Sequence, residues 1–291
     1  MGLPVVVGVD GSDSSLLAVD WATDEATRHG LPLRLVYASL WERYEGVVTS
    51  AGLQRPAHQV MADNIVGTAA ERARRRNPDV KVTDGVLPED PVDALLRESG
   101  NATAVVTGCR GRGELQGVLL GTVSLAVAGR ASGTVIVVRG DEAGLRGTHE
   151  RVLLGAGEPG TSGAAARFAL REAEVRHCVL DVVRAWRRPA HEPMQHPLLT
   201  GDPALYHQER ASTLIDALLQ DPAADHPDVR VNRTTVEGSA HRVLLHRSAA
   251  ADLVVIGARR SHDPRGLRLG RVGHTLLHHA QCPVAVVPEL P

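Results

Sequence analysis

Aromatic side chains are nearly missing from this chain: three Trp, three Tyr and one Phe in 291 residues. Platforms that stack nucleic-acid bases interleave aromatics with basic residues, and so few rings cannot assemble one. The net charge of −2 removes the other inducement, a basic field that draws a polyanion or an anionic membrane. Lysine is scarcer still, with Lys81 alone against 31 arginines. A Walker-type phosphate loop needs a lysine directly after its glycines, and no lysine stands there. Schiff-base chemistry would rest on Lys81, which lies in an apolar run without supporting context. The three cysteines, Cys109, Cys178 and Cys282, are scattered and odd in number. That argues against a disulfide framework and for a reducing compartment. No apolar run reaches the ~20 residues of a membrane span, and no charged-then-apolar leader opens the chain. The expected compartment is the cytoplasm.

Glycine is plentiful, and its placement is informative. The apolar run Ala104 to Thr107 leads into Gly108-Cys109-Arg110-Gly111, and nine residues later Gly121-Thr122-Val123-Ser124 opens an apolar segment. The order is strand, glycine-punctuated loop, helix. Such a loop lets backbone N–H groups approach a ligand closely, and the following helix N-terminus adds its own. Thr122 and Ser124 stand where a hydroxyl caps the helix or meets a phosphate oxygen. Arg110 is a cation beside the loop, either solvated or in contact with phosphate. The stretch Gly111-x-Gly113-x3-Gly117 approaches a dinucleotide fingerprint. It sits on the fourth strand-to-helix turn rather than the first, and the next strand ends in Arg139 instead of an acid. A nicotinamide-dependent reductase is therefore a poor fit.

The remaining pattern alternates strands and helices. Leu3 to Val9 reads as a strand buried on both faces, ending at the capping-rich turn Asp10 to Ser15. A helix to His29-Gly30 follows, then a strand from Leu33 to Ala38. Trp41 to about Ala57 reads as a long loop, a candidate flap. A helix from Val60 to Arg76, a strand from Val80 to Val86 and a helix from Pro91 to Glu98 come next. The glycine-loop strand, its helix to about Ala131 and the strand Val135 to Val138 complete a set of five strands. Such alternation implies a mostly parallel α/β sheet covered on both faces. The pattern then restarts. Val5 to Asp10 is echoed by Val152 to Gly157, and Leu33 to Ala38 by Leu180 to Ala185, both at an offset of 147. Ala104 to Gly108 and Ala131 to Val138 are echoed by Leu253 to Gly257 and Ala280 to Val287, at an offset of 149. That is a duplication, with domains at residues 1–141 and 149–291 joined by a polar, glycine-containing connector. The copies differ at the chemistry: Gly157 replaces Asp10, Arg260 replaces Gly111, Arg271 replaces Thr122 and Gly273 replaces Ser124.

These residues together resemble the tandem form of the universal stress protein family. The family motif Gly-x2-Gly-x9-Gly-Ser/Thr is matched by Gly108, Gly111, Gly121 and Thr122. Asp10 matches the family's strand-end acid, Val36 its adenine-contacting backbone position, and Ser124 its second hydroxyl. The resemblance implies two Rossmann-like doubly wound domains, each a five-stranded parallel sheet in the order 3-2-1-4-5 with flanking helices. It also implies ATP, with or without Mg2+, between the ends of strands one and four. Asp10 and Val36 would face the nucleoside, and Arg110, Gly111 and Gly121 through Val123 to Ser124 the phosphates. The degenerate second copy is expected to have lost the nucleotide.

The fifth strand of each copy is almost wholly apolar and sits at a sheet edge, which has to be covered. Pairing of the two within one chain, as a pseudo-dimer, covers both at once, and a homodimer of the whole chain is compatible with it. His274 and His278 have an i, i+4 spacing, but no third ligand is evident and no metal site is expected. The function expected is an ATP-binding regulator of the stress response with one competent site in the first domain. The rivals are a slow ATPase, which lacks an identifiable base, and a partner-binding module with no working nucleotide site.

Overall fold

The computed structural model describes residues 2–40, 57–111, 120–158, 160, 162–188, 203–259 and 269–289. The segment from Trp41 to Pro56, Gly113, Gly117 and Arg260 lie outside the described residues. The chain forms two compact units, residues 1–139 and 140–291.

In the first unit, β1 (Val5–Gly8), β2 (Leu33–Ala38), β3 (Val82–Leu87), β4 (Ala104–Gly108) and β5 (Val135–Val138) form a parallel sheet. Their order is β3-β2-β1-β4-β5. The sheet is parallel because each strand is followed by a helical crossover that returns the chain to the same end. Helices α1 (Asp13–His29) and α2 (Ala57–Arg76) pack on each other, as do α3 (Pro91–Ser99) and α4 (Thr122–Arg130). The valines of β1 and β4 are buried on both faces, as their unbroken apolar runs require.

Local chemistry fixes the helix ends. Ser12 caps α1, with Asp13 in the first turn and Arg28 and His29 in the last, matching the helix dipole. Gly30 closes it at φ +61°, and its N–H donates to the carbonyls of Ala26 and Thr27. Asp90 caps α3 with Pro91 in its first turn. Bidentate pairs tie α2 to α1: Arg72 to Asp20 at 2.7 and 2.5 Å, and Arg76 to Asp24 at 2.6 Å on both arms. Some boundaries differ from the sequence reading. β1 covers Val5–Gly8 rather than Leu3 to Val9, α2 starts at Ala57 rather than Val60, and β3 covers Val82–Leu87 rather than Val80 to Val86.

The second unit repeats the plan with β6 (Arg151–Gly155), β7 (Val179–Trp186), β8 (Val231–Glu237), β9 (Leu253–Arg259) and β10 (Val284–Glu289). The order β8-β7-β6-β9-β10 is the same topology. The connector is more structured than its polarity suggested. It contains α5 (Glu142–Arg146), capped by Asp141, whose side chain accepts the Gly144 amide at 2.9 Å. The Asp141 amide donates to the Gln281 carbonyl at 3.0 Å, which fastens α5 to the segment before β10. Helices α6 (Gly163–Val175), α7 (Pro203–Ala224), α8 (Ala240–Arg247) and α9 (Arg271–His279) complete the unit.

Candidate functional site

In the first unit β1 lies between β2 and β4, so the crevice where the strand order reverses is flanked by the residues that follow β1 and β4. Val7 is in register with Val106, which carries Asp10 and Cys109 to one level three residues further on. Asp10 is thus brought to the glycine loop, whose Gly108 lies 98 positions further along the sequence.

The Asp10 carboxylate is aimed by its neighbours. Its Oδ1 accepts from the Ser12 amide at 3.0 Å and from Ser12 Oγ at 2.6 Å. Its Oδ2 lies against Gly111, where an added Cβ would stand 2.9 Å away. Gly108 is constrained more severely. A Cβ there would lie 2.5 to 2.7 Å from the Ser14 hydroxyl and backbone. Ser14 also receives the Arg110 amide on its Oγ at 3.1 Å and has Cys109 Sγ at 3.6 Å. The first turn of α1 is therefore locked onto the loop.

The neck of the loop is closed by the Gly121 amide donating to the Cys109 carbonyl at 2.8 Å. Ser124 is buried, and its hydroxyl donates to the Gly108 carbonyl at 2.7 Å. The Ser124 hydroxyl does not cap the helix; it ties the helix to the strand end. Thr122 does not cap either. The N-cap is Gly121, with no side-chain cap bond, and no acid lies in the first turn. The amides of Thr122, Val123 and Ser124 precede the helix's own ladder, which begins with the Leu125 amide on the Gly121 carbonyl at 3.1 Å. They stand at the positive end of the helix dipole.

Gly121 differs from the other two motif glycines. A Cβ there would meet Cys109, Arg110 and Gly111 atoms at 3.7 to 3.8 Å, ordinary contact, and its φ of −69° suits any residue. Nothing in the described chain requires a glycine at 121.

Of the remaining expected residues, Arg110 is exposed at the loop. Val36 is buried at 1% exposure, in register with Gly8, and its carbonyl accepts the Val9 amide at 2.9 Å. It stands two residues short of the Asp10 level, where Ala38 lies on β2. Ser12 and Ser14 are the residues that sequence reasoning left out. Their turn was legible as a cap, but its grip on a loop near residue 110 was not.

The second unit differs at the end of β6 and at the amino end of α6, the counterpart of α1. Gly157 stands where Asp10 did, and its amide donates to Ser162 Oγ at 2.9 Å. Arg184, at the position of Tyr37 and 9% exposed, folds over the end of β6. It donates to the carbonyls of Ala156 and Gly157 and, at 2.8 Å, to Glu158 Oε1. Glu289 puts its carboxylate on the amino end of α6, accepting the Ala164 amide at 3.0 to 3.2 Å. Arg271 opens α9 in place of Thr122. The His274 and His278 rings lie face to face, 6.5 Å apart and inclined by 16°. Among the described residues, no helix is long and apolar enough to cross a membrane.

Comparison with known proteins agrees with the duplication. The model of the universal stress protein family matches residues 2–139 and again 148–288. Universal stress protein Rv1996 of Mycobacterium tuberculosis is 30% identical over 312 residues, covering 99% of this chain and 96% of the relative. Universal stress protein Rv2005c of the same organism is 32% identical over 291 residues, covering 98% and 97%. Among solved structures, a universal stress protein from Archaeoglobus fulgidus superposes with a TM-score of 0.69 at 15% identity, covering 98% of both chains. That likeness speaks to the fold alone.

Proposed function

Because the chain belongs to the universal stress protein family, in its tandem form, we propose that its first unit binds ATP and acts as a nucleotide-dependent regulator of the stress response. The observation that carries this reading is Gly121, where no described neighbour requires a glycine, in front of three amides that no described side chain caps. A triphosphate satisfies those donors and places its negative charge at the helix's positive end. Arg110 lies on the exposed side of the same loop, in reach of phosphate. Asp10 and the end of β2 face the nucleoside, whose hydroxyls are donors suited to a carboxylate. Mg2+ would accompany the triphosphate and offset part of its charge. Binding biases the unit between states only as far as one state binds better, and a partner reads that bias.

Loss of nucleotide binding in the second unit belongs to the same reading, supported by Arg184 folding over the end of β6, where Gly157 replaces Asp10, and by Arg271 in place of Thr122. So do the division at residues 1–141 and 149–291 and the intrachain pairing of the apolar fifth strands, supported by the need to cover an apolar sheet edge.

Calorimetry with ATP on the full chain tests the proposal. One equivalent should bind, and Gly121→Val and Asp10→Ala should each weaken it at least tenfold while leaving the far-ultraviolet spectrum unchanged. No heat with the parent chain would leave a partner-binding module. Phosphate release over hours, abolished by the same substitutions, would instead make the chain a slow ATPase.

A further inference from the structure

Helix α9 carries three histidines, His274, His278 and His279. Residues four apart on a helix stand one above the other, with Cβ atoms about 5–6 Å apart. His274 and His278 realise that stacking, their rings 6.5 Å apart and inclined by only 16°. The His279 ring lies 6.1 Å from that of His278 and is tilted by 43°. Gly273, Leu276 and Leu277 form the buried face of the helix, while His274 and His279 are exposed and His278 is half-buried.

Neither packing nor the helix dipole accounts for His274. Basic side chains in the last turn suit the dipole, which covers His278 and His279. His274 is the fourth residue of α9, near the end where positive charge is disfavoured. Other histidines are held by acids: His29 by Glu25, His149 by Asp252 and His226 by Glu174, at 2.9 to 3.5 Å. No described carboxylate pairs with His274, and α9 itself contains no acid. The arrangement is peculiar to the second copy, since Leu125 and Gly129 stand at the places of His274 and His278 in the first.

Two imidazoles on one helix face, four residues apart, are a donor set for zinc, nickel and copper ions. Exposed side chains turn between rotamers easily enough to bring both ring nitrogens to the ~2.1 Å that such an ion requires. The lack of an evident third ligand rules out a closed structural centre, but an open one draws the rest of its shell from water. We propose that His274 and His278 chelate a divalent transition-metal ion in an open, exchangeable site on the outer face of α9. His279 takes no part in the chelate, because adjacent residues diverge by about 100° around a helix. The site lies in the second unit and is independent of the nucleotide proposed for the first.

The test is calorimetric titration of the full chain, without an affinity tag and free of nucleotide, with NiCl2 and separately with ZnCl2. It is repeated on His274→Leu, which restores the first unit's residue, on His278→Gln, and on His279→Gln as a control. The parent should bind one equivalent of Ni2+. His274→Leu and His278→Gln should each weaken that binding about tenfold or more, since a chelate needs both rings, and His279→Gln should leave it unchanged. Thermal midpoints without metal check that each variant folds. Added Ni2+ should raise the midpoint of the parent and of His279→Gln, and of neither pair variant. No heat from either ion on the parent, binding that survives both pair substitutions, or a loss confined to one of them would overturn the proposal. ATP is absent throughout, so failure here is distinguishable from failure of the nucleotide site.

Discussion

The Arg110 amide donates to Ser14 Oγ at 3.1 Å, joining two residues 96 positions apart. One hydroxyl thereby fixes the distance between the first turn of α1 and the loop that follows β4. Ser14→Ala leaves that amide without its partner, and the expected cost is about 1 kcal/mol in urea unfolding. Amide hydrogen exchange at Arg110 should accelerate in the variant.

Gly108 and Gly121 belong to one motif but should answer differently to the same change. Gly108→Ala forces a methyl group against the Ser14 backbone, and destabilisation of about 2 kcal/mol is expected. Gly121→Ala meets only ordinary contacts and should leave stability within about 0.5 kcal/mol. Its effect belongs on nucleotide affinity instead. Urea melts and ATP titrations of the two variants, side by side, separate a packing glycine from a ligand glycine.

Thr107 is 4% exposed on β4, and its hydroxyl has no hydrogen-bond partner among the described residues. Thr107→Val replaces that hydroxyl with a methyl of similar shape. The thermal midpoint should rise, by the equivalent of about 1 kcal/mol.

Arg184 serves three acceptors at the end of β6. Arg184→Leu strands the Ala156 and Gly157 carbonyls, and a loss of about 2 kcal/mol is expected in the second unit. Differential scanning calorimetry should show the change in the second unit's transition, with ATP binding unaffected.

Burial pushes the Cys178 thiol above its ordinary pKa, against a smaller opposing pull from Arg176. The folded chain therefore holds the neutral thiol at a pH where the unfolded chain has begun to ionise. Stability is full below the ordinary thiol value and declines as pH climbs through it toward the raised one. Cys178→Ala should flatten that decline in unfolding free energies measured from pH 7 upward.

Much of this was legible in one dimension. Unbroken valine runs marked the doubly covered strands, and the near-constant offset between Val5 and Val152, and between Gly108 and Gly257, exposed the duplication. Caps such as Ser12 and Gly30 act over three or four residues, so they could be read directly. What escaped depends on distant pairing. The level of Val36 on its strand is set by register against Gly8, which no periodicity encodes. Arg184 sits in an echo of the second strand, and nothing local reveals that it folds back over carbonyls on its neighbour. Val80 and Lys81 looked like strand because of the valines around Lys81, yet the residues in register with β2 start at Val82.

The carboxylate of Glu289 at the head of α6 has a consequence for that helix end. An anion tethered by the chain itself is present at every solute concentration, so the amide it holds answers to no dissolved ligand, just as the first turn of α1 is already served by Ser12. In both copies the helix that follows the first strand is fastened from within.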